Sequence, residues 1–169
     1  MAPDPLILTA RFDADTEAWL EALRRTHFPP ERNLIAAHVT LFHALPGDEL
    51  PSIAATLAEA CAATPQGAAR IGPPRSLGRG VALEVAAPAL TRLRADLAAG
   101  WTAWLSPQDA QGWRPHATVQ NKVSPEAARA LLSQLAAKLA PREATATGLR
   151  LWHYRGGPWE AAAAFDFTP

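Results

Sequence analysis

The chain has 169 residues, of which 49% are hydrophobic and 19% charged, so it is long and apolar enough to fold as one globular domain around a buried core. Its 16 basic and 16 acidic residues balance, which excludes the strong positive field that would hold a long polyanion such as duplex nucleic acid. A single cysteine, Cys61, excludes an internal disulfide and a cysteine-rich zinc site and favours a reducing compartment. Any contact with nucleic acid should therefore be small, as with a nucleotide or an RNA end.

The first half of the chain alternates strand and helix patterns. Its apolar periodicity and its proline and glycine positions predict a strand, a helix, a strand, a helix and a short strand. These elements fall at residues 5–12, 13–28, 34–45, from about 52 onward, and 68–75. The second strand ends at Pro46 and Gly47, and the last one ends in a proline pair.

The second half follows the same order. It predicts a strand, a helix, a strand, a helix and a closing pair of strands, at residues 80–88, 89–105, 116–123, 125–140 and, for the pair, 146–167. Ser124 stands where a helix N-cap is expected, with Pro125 at the first helical position. Tryptophans 101 and 104 continue the apolar stripe of the first of these helices, which predicts core positions for both.

The N-terminal segment, residues 1–15, has a four-residue apolar run with no basic region before it. This pattern predicts neither a secretory signal peptide nor a membrane span. We expect a cytoplasmic protein that makes no membrane contact, and a monomer.

The order strand, helix, strand, helix, strand thus occurs twice, at approximately residues 5–76 and 79–167, within one domain spanning 1–169. The second strand of each half carries a His-x-Thr motif, in residues 38–40 and again in residues 116–118. Because the helices are offset by a similar amount, the motifs occupy equivalent positions. The sequence therefore predicts a duplicated α+β unit.

Alternation of side chains along a strand places His38 and Thr40 on one face, and His116 and Thr118 on one face of the other strand. If the halves pack about a pseudo-twofold axis, two imidazoles and two hydroxyls converge on one cleft. Histidines near their ordinary pKa of about 6.5 can act as general base and general acid on a phosphodiester, while the hydroxyls bind its non-bridging oxygens. This chemistry requires no metal or other cofactor.

The segments HVTL (38–41) and HATV (116–119), about eighty residues apart in a duplicated α+β chain, resemble the paired motifs of the 2H phosphoesterase superfamily. That superfamily contains the bacterial 2'-5' RNA ligase-like proteins and the cyclic nucleotide phosphodiesterases. Residues 30–47 are similar to its first motif with flanks, and residues 149–160 to its closing hairpin, so the resemblance covers nearly the whole chain.

The resemblance implies a bilobal fold, with two antiparallel β-sheets lining a central cleft and helices on the outside. It assigns catalysis to His38, Thr40, His116 and Thr118. It also implies hydrolysis of 2',3'-cyclic phosphates of nucleotides or RNA ends, while some members are recorded as ligating RNA through a 2'-5' bond. From the residues, two further hypotheses stay open: a module that binds nucleotides or RNA ends without turnover, and a purely structural partner protein.

Five further residues are candidates for substrate binding: Phe42, Trp113, Arg114, Gln120 and His153. Phe42 and Gln120 follow the motifs at the spacing that keeps them on the histidine face. Phe42 and Trp113 are candidates for stacking on a base, and Arg114 for binding a flanking phosphate.

His43 is predicted to be structural, because it would face the same way as Leu41 or lie beyond the strand end. A zinc site built from His38, His43 and His116 is disfavoured, since no acidic residue or cysteine accompanies them at ligand spacing.

Overall fold

The computed structural model describes residues 3–169, which form seven strands and four α-helices. The strands are β1 (Leu6–Phe12), β2 (Thr40–Leu45), β3 (Gly67–Ser76), β4 (Val81–Ala86), β5 (His116–Gln120), β6 (Arg142–His153) and β7 (Glu160–Asp166). The helices are α1 (Ala14–His27), α2 (Leu50–Ala62), α3 (Pro88–Gly100) and α4 (Pro125–Lys138). The predicted α+β class is confirmed, and every predicted element is present in its predicted order.

All seven strands belong to one antiparallel sheet, in the order β2-β1-β6-β3-β4-β5, with β7 pairing with β6. The resemblance implied two separate sheets, but the structure has one, because β6 is twelve residues long and pairs with strands of both halves. Its first residues, 142–146, pair with β3, and its later residues, 146–153, pair with β1. The sequence predicted this strand only from residue 146 and therefore missed the part that connects the two halves.

The sheet is curled so that its two ends meet. β2 and β5 are the outermost strands in the order above, yet Val39 and Ala117 form an antiparallel bridge between them. Both residues are fully buried, and each stands in the middle of a His-x-Thr motif. The fold therefore brings the two motifs side by side although they are far apart in sequence.

The core lies between the sheet and the helices. It contains the inward side chains of the strands, such as Leu8, Leu83 and Leu149, and the apolar faces of the helices, such as Leu57 and Leu90. α1 packs against β5, α2 against β7, and α4 against β3 and β4. None of the helices found in residues 3–169 has the length and apolarity needed to cross a membrane.

Two predicted boundaries differ from the structure for identifiable reasons. The strand predicted at 34–45 begins only at Thr40, so His38 lies just before it and is held by the bridge at Val39. β3 continues through Pro73 and Pro74 instead of ending there. A register shift between Ile71 and Pro74 accommodates the prolines, which have no N–H to donate to the ladder.

Candidate active site

The register of the Val39–Ala117 bridge fixes how the two motifs face each other. In an antiparallel pair with these partners, His38 lies opposite Thr118 and Thr40 lies opposite His116, with Cβ atoms about 5 Å apart. The two bridging residues are buried, while all four motif side chains are half-buried. The four motif side chains therefore form a square on the accessible face, with the histidines on one diagonal and the threonines on the other.

Each motif histidine is held in the same way. His38 Nδ1 lies 2.8 Å from the carbonyl oxygen of Ala36, and His116 Nδ1 lies 2.9 Å from that of Arg114, in both cases two residues earlier. A carbonyl oxygen only accepts hydrogen bonds, so each Nδ1 carries the proton and donates it. In the neutral ring this leaves the Nε2 lone pair free to accept a proton.

The pKa values of the two histidines are lowered to different extents. Burial lowers the pKa of His38 to about 4, against the hydrogen bond to Ala36, and the positive charge of Arg24 contributes to the decrease. Burial also lowers the pKa of His116, with nearby Arg75 contributing. His38 is therefore the more strongly shifted of the two and stays neutral over a wider pH range.

A cavity of about 230 Å³ lies beside His38 and is mostly apolar; we call it the tryptophan cavity. Besides His38, its wall includes Thr9, Leu34, Ile35, Trp152, Pro158 and Trp159. The ring centroid of Trp159 lies 4.6 Å from that of His38, and Trp152 Nε1 donates to Thr9 Oγ1 at 2.9 Å. Two indole rings thus form a rigid aromatic wall next to one corner of the square.

A second cavity, of about 240 Å³, lies beside Thr40 and His116, at the other side of the square; we call it the arginine cavity. Its wall includes Thr40, His43, Arg75, Arg94, Trp113, Arg114 and His116. It is therefore lined by cationic and polar groups where the tryptophan cavity is lined by aromatic ones.

His43 lines the arginine cavity, whereas strand alternation predicted that it would face the same way as Leu41. Its Nδ1 lies 2.9 Å from Oδ1 of Asp109, and Asp109 also accepts from the backbone N–H groups of His43 and Ala44 at 2.9–3.1 Å. Burial would raise the pKa of Asp109, but these hydrogen bonds from His43 and Ala44 hold it below its ordinary value. The ionised carboxylate therefore fixes the orientation of the His43 ring.

Phe42 and Gln120 do not reach the site, contrary to the sequence prediction. Phe42 is 0% exposed and Gln120 7% exposed, so neither can contact a substrate. Both strands carry one extra residue just after the motif threonine, Leu41 in β2 and Val119 in β5. Such a β-bulge interrupts the alternation of faces, so the residue two positions after the threonine is turned towards the core.

Of the other predicted residues, two border the site and one does not. Trp113 and Arg114 line the arginine cavity, but the indole N–H of Trp113 donates to the Thr40 carbonyl oxygen at 2.9 Å and ties the loop to β2. His153 stands one position after Trp152, so alternation along β6 directs it to the face opposite the tryptophan cavity. His153 lines neither the tryptophan cavity nor the arginine cavity, and its role in substrate binding stays a prediction.

α1 supports both motifs, a role that sequence reasoning did not predict. The buried Arg24 donates from Nη1 to the Thr118 carbonyl oxygen at 3.1 Å and from Nε to Asn33 Oδ1 at 2.8 Å. Glu21 accepts from the backbone N–H of Ala37 at 3.2 Å. One helix thus holds the segment before the first motif and the strand of the second.

The described part of the chain offers no metal-binding arrangement. Across residues 3–169, no three His, Cys, Asp or Glu side chains are grouped so that they could hold a metal ion. His38, His43 and His116 accordingly do not form a ligand set.

Comparison with solved structures identifies the fold. TT0787 of Thermus thermophilus matches with a TM-score of 0.69 and 18% identity, over 96% of this chain and 97% of that one. LigT of E. coli complexed with 3'-AMP matches with a TM-score of 0.64 and 19% identity, over 99% of both chains. LigT of E. coli complexed with ATP matches with a TM-score of 0.58 and 17% identity, over 100% of both chains. At these identities the matches show the fold alone.

Comparison at the level of sequence gives a family. No curated protein matches the chain significantly. The model of the 2'-5' RNA ligase superfamily matches residues 12–158, which include both His-x-Thr motifs and most of the strands and helices described above. The chain therefore belongs to the 2'-5' RNA ligase superfamily of 2H phosphoesterases.

Proposed function

We propose that the protein is a metal-independent phosphodiesterase that hydrolyses 2',3'-cyclic phosphates of nucleotides or of RNA ends. One observation carries the proposal: the Val39–Ala117 bridge sets two equally oriented histidines on the diagonal of a square whose other corners are threonines. A phosphate bound between the four side chains would have an imidazole on each side, as displacement at phosphorus with both acid and base catalysis requires.

The different environments of the histidines support a division of roles. His38, whose pKa is lowered to about 4, is neutral and acts as the general base that takes a proton from water. The water oxygen attacks phosphorus, and the bond from phosphorus to one ribose oxygen breaks. His116, whose pKa is lowered less, donates the proton that this leaving oxygen receives. The product is a ribose phosphomonoester, and a proton exchange with solvent restores the starting state.

The threonines supply the remaining interactions with the phosphate. The hydroxyls of Thr40 and Thr118 donate to the two non-bridging oxygens, whose negative charge increases as water attacks. Each hydroxyl lies across the strand pair from a histidine, so it binds one oxygen beside the imidazole that acts there.

The tryptophan cavity supports a nucleotide as the substrate. Its two indole rings and the apolar side chains of Leu34 and Ile35 offer a base a stacking surface directly beside His38. LigT of E. coli, which shares this fold, has been crystallised with 3'-AMP, with ATP and with NADP+. We infer that Trp152 and Trp159 take the stacking role that the sequence suggested for Phe42 and Trp113.

A phosphorus NMR time course with 2',3'-cyclic AMP in excess EDTA tests the proposal. The wild type should convert the cyclic signal to a monoester, whose identity as 2'-AMP or 3'-AMP names the bond that is cut. His38→Ala and His116→Ala should each lower the rate by about 10²–10⁴-fold, the usual contribution of one general acid or base. The matched control is His27→Ala at the end of α1, which should keep the wild-type rate.

Three results would overturn the proposal. One is a wild type that binds 3'-AMP but turns over neither cyclic nucleotides nor oligonucleotides with a 2',3'-cyclic end, which would favour the binding module. The second is unchanged turnover in both histidine variants. The third is a wild type without turnover whose melting temperature no nucleotide shifts, which would favour the structural partner.

RNA ligation is a second candidate because the chain belongs to a family described by its 2'-5' RNA ligases. In that reaction the 5'-hydroxyl of a second RNA replaces water as the nucleophile, and the same two histidines act. Adding an oligonucleotide with a free 5'-hydroxyl to the assay distinguishes the activities, since a phosphodiester signal appears in place of the monoester.

A further inference from the structure

The arginine cavity contains a histidine that the proposed hydrolysis does not use. Asp109, which is 1% exposed, accepts hydrogen bonds from three donors, the backbone N–H groups of His43 and Ala44 and the His43 ring. The guanidinium of Arg94 donates to the Asp109 carbonyl oxygen at 2.7 Å and to that of Leu41 at 3.2 Å. Two buried charged groups thus serve to place one imidazole at the cavity wall.

The remaining ring nitrogen of His43 has no protein partner within residues 3–169. Nδ1 is engaged by Asp109, while Nε2 belongs to a ring whose side chain is 41% exposed at the cavity. The imidazolium form donates from both nitrogens, so it can bond to Asp109 and to an anion at the same time.

The charges around the cavity leave a positive excess. Arg75, Arg94 and Arg114 line it, and two carboxylates balance two of these charges. One is Asp109; the other is Glu84, which lies 3.8 Å from Arg75 and 3.5 Å from Arg114 and is shared between them. One arginine charge is therefore uncompensated even before any histidine is protonated, which favours an anionic ligand.

The tryptophan cavity lacks such an excess. Its one arginine, Arg150, makes a bidentate ion pair with Glu17, with both hydrogen bonds at 2.9 Å. In a nucleoside 2',3'-cyclic phosphate, C1' with its base and C4' with its 5'-carbon flank the C2'–C3' edge that carries the phosphate. The two cavities likewise lie on either side of the motif square, one suited to a base and the other to an anion.

We propose that the arginine cavity binds a second phosphate group of the substrate, carried on the 5'-oxygen of the nucleoside whose cyclic phosphate is cut. This proposal rests on the proposed function of the motif square. His43, Arg75 and Arg114 bind the second phosphate, and Asp109 and Arg94 position His43. A 5'-phosphate of a free nucleotide and the preceding phosphodiester of an RNA end occupy the same position on the ribose, so both have the chemistry that the cavity recognises.

Calorimetric titration with three ligands tests the proposal without relying on turnover. The ligands are 3'-AMP, adenosine 3',5'-bisphosphate and the 3'-phosphorylated dinucleotide ApAp. We expect at least one ligand with a group on the 5'-oxygen to bind about tenfold more tightly than 3'-AMP, or more, as one or two charge-assisted hydrogen bonds provide. His43→Ala and Arg114→Ala should reduce this ratio towards one.

The matched control is Arg129→Ala, which removes an exposed arginine of α4 that pairs with its helix neighbour Glu126 and should leave the ratio unchanged. Arg114 is 74% exposed, so its variant reports on binding even if His43→Ala perturbs the fold. Tighter binding than 3'-AMP by the bisphosphate alone identifies free nucleotides as the source of the second phosphate. Tighter binding by ApAp alone identifies RNA ends, and tighter binding by both ligands supports recognition of the chemistry that they share.

Equal affinity of all three ligands, or a preference that persists in both variants, would overturn the inference. Binding of none of them would also overturn it. The proposed hydrolysis is judged separately by turnover of 2',3'-cyclic AMP, which has no second phosphate. Turnover of this substrate without a preference for a 5'-phosphate would support the proposed function and contradict the inference. A preference for a 5'-phosphate without turnover would contradict the proposed function and leave the binding site supported.

Discussion

Replacing Trp159 with alanine should change the pH dependence of the reaction on its acid side only. The Trp159 ring lies 4.6 Å from the imidazole of His38 and forms part of the wall of the tryptophan cavity. Burial is the largest cause of the lowered pKa of His38, about 4 instead of 6.5. Removing the ring admits water to the imidazole, so this pKa should rise towards 6.5, by at most about 2.5 pH units.

The assay is kcat/KM for 2',3'-cyclic AMP as a function of pH, which reports the ionisations of the free enzyme. In the wild type the acid limb should lie near pH 4, where His38 is protonated, and the alkaline limb below 6.5, where His116 loses its proton. In Trp159→Ala the acid limb should move to higher pH while the alkaline limb stays, since His116 lines the other cavity. Trp19→Ala on α1 is the control with the same side-chain loss.

Loss of substrate affinity in Trp159→Ala lowers kcat/KM at every pH but does not move the limbs. The pKa of His38 can also be read directly, by proton NMR titration of the histidine signal that is missing in His38→Ala. An acid limb that stays near 4 in Trp159→Ala would refute the reasoning, as would a His38 signal that titrates near 6.5 in the wild type.

Three further predictions concern the framework of the site and are measured by urea unfolding. Asp13 caps α1 and also accepts a hydrogen bond from the backbone N–H of Thr145, so Asp13→Ala should lower the free energy of unfolding by about 0.5–2 kcal/mol. Because folding lowers the pKa of Asp13, this loss should be present above the ordinary pKa of 3.8 and should vanish as the pH falls below the pKa in the folded state. Trp113→Phe removes the hydrogen bond to the Thr40 carbonyl and should cost about 0.5–1.5 kcal/mol. Leu83→Ala opens a cavity beneath β4 and should cost about 2–5 kcal/mol. A change below about 0.3 kcal/mol in any of them would contradict the contact from which it is derived.

The sequence alone predicted the elements and the meeting of the two motifs. Local periodicity, proline and glycine positions and the N-cap at Ser124 depend on neighbouring residues, so they can be read without knowing the fold. The convergence of His38 and His116 followed from the repeated order of elements. In the structure, the bridge between Val39 and Ala117 holds the two motifs together, and these two residues are 78 positions apart in the chain.

The failures in the site have one physical cause, the bulge after each motif threonine. Strict alternation predicted that Phe42 and Gln120 face the cleft and that His43 does not. The extra residue in each strand reverses these orientations: Phe42 packs under Arg94 and against Trp101, and His43 lines the arginine cavity. Nothing in the local residue pattern marks the bulge, because it arises from pairing with the neighbouring strand.

Residues contributed by distant segments were also missed. Trp159 reaches His38 because β6 and β7 form a hairpin that extends beyond β1, and Asp109 reaches His43 from the loop before β5. Both residues were visible in the sequence, and the resemblance of residues 149–160 to a family hairpin was the one signal that pointed to Trp159. The partner of Asp109 could not be predicted, because a lone aspartate in a loop has no periodicity.

Two motifs with the same local frame can perform different tasks because their surroundings differ. The hydrogen bond from Nδ1 to the carbonyl oxygen two residues before is the same for His38 and His116, so the tautomer and the free nitrogen are the same. His38 lies beside the indole rings of the tryptophan cavity, and burial of its imidazole lowers its pKa to about 4. His116 instead lines the arginine cavity; burial lowers its pKa, with contributions from Arg75 and Arg114, and a bound anionic substrate would favour the protonated ring. Binding of an anionic substrate beside His116 would therefore favour the proton on that ring, while burial keeps His38 neutral, so the surroundings of the two motifs can supply the asymmetry that the motifs themselves lack.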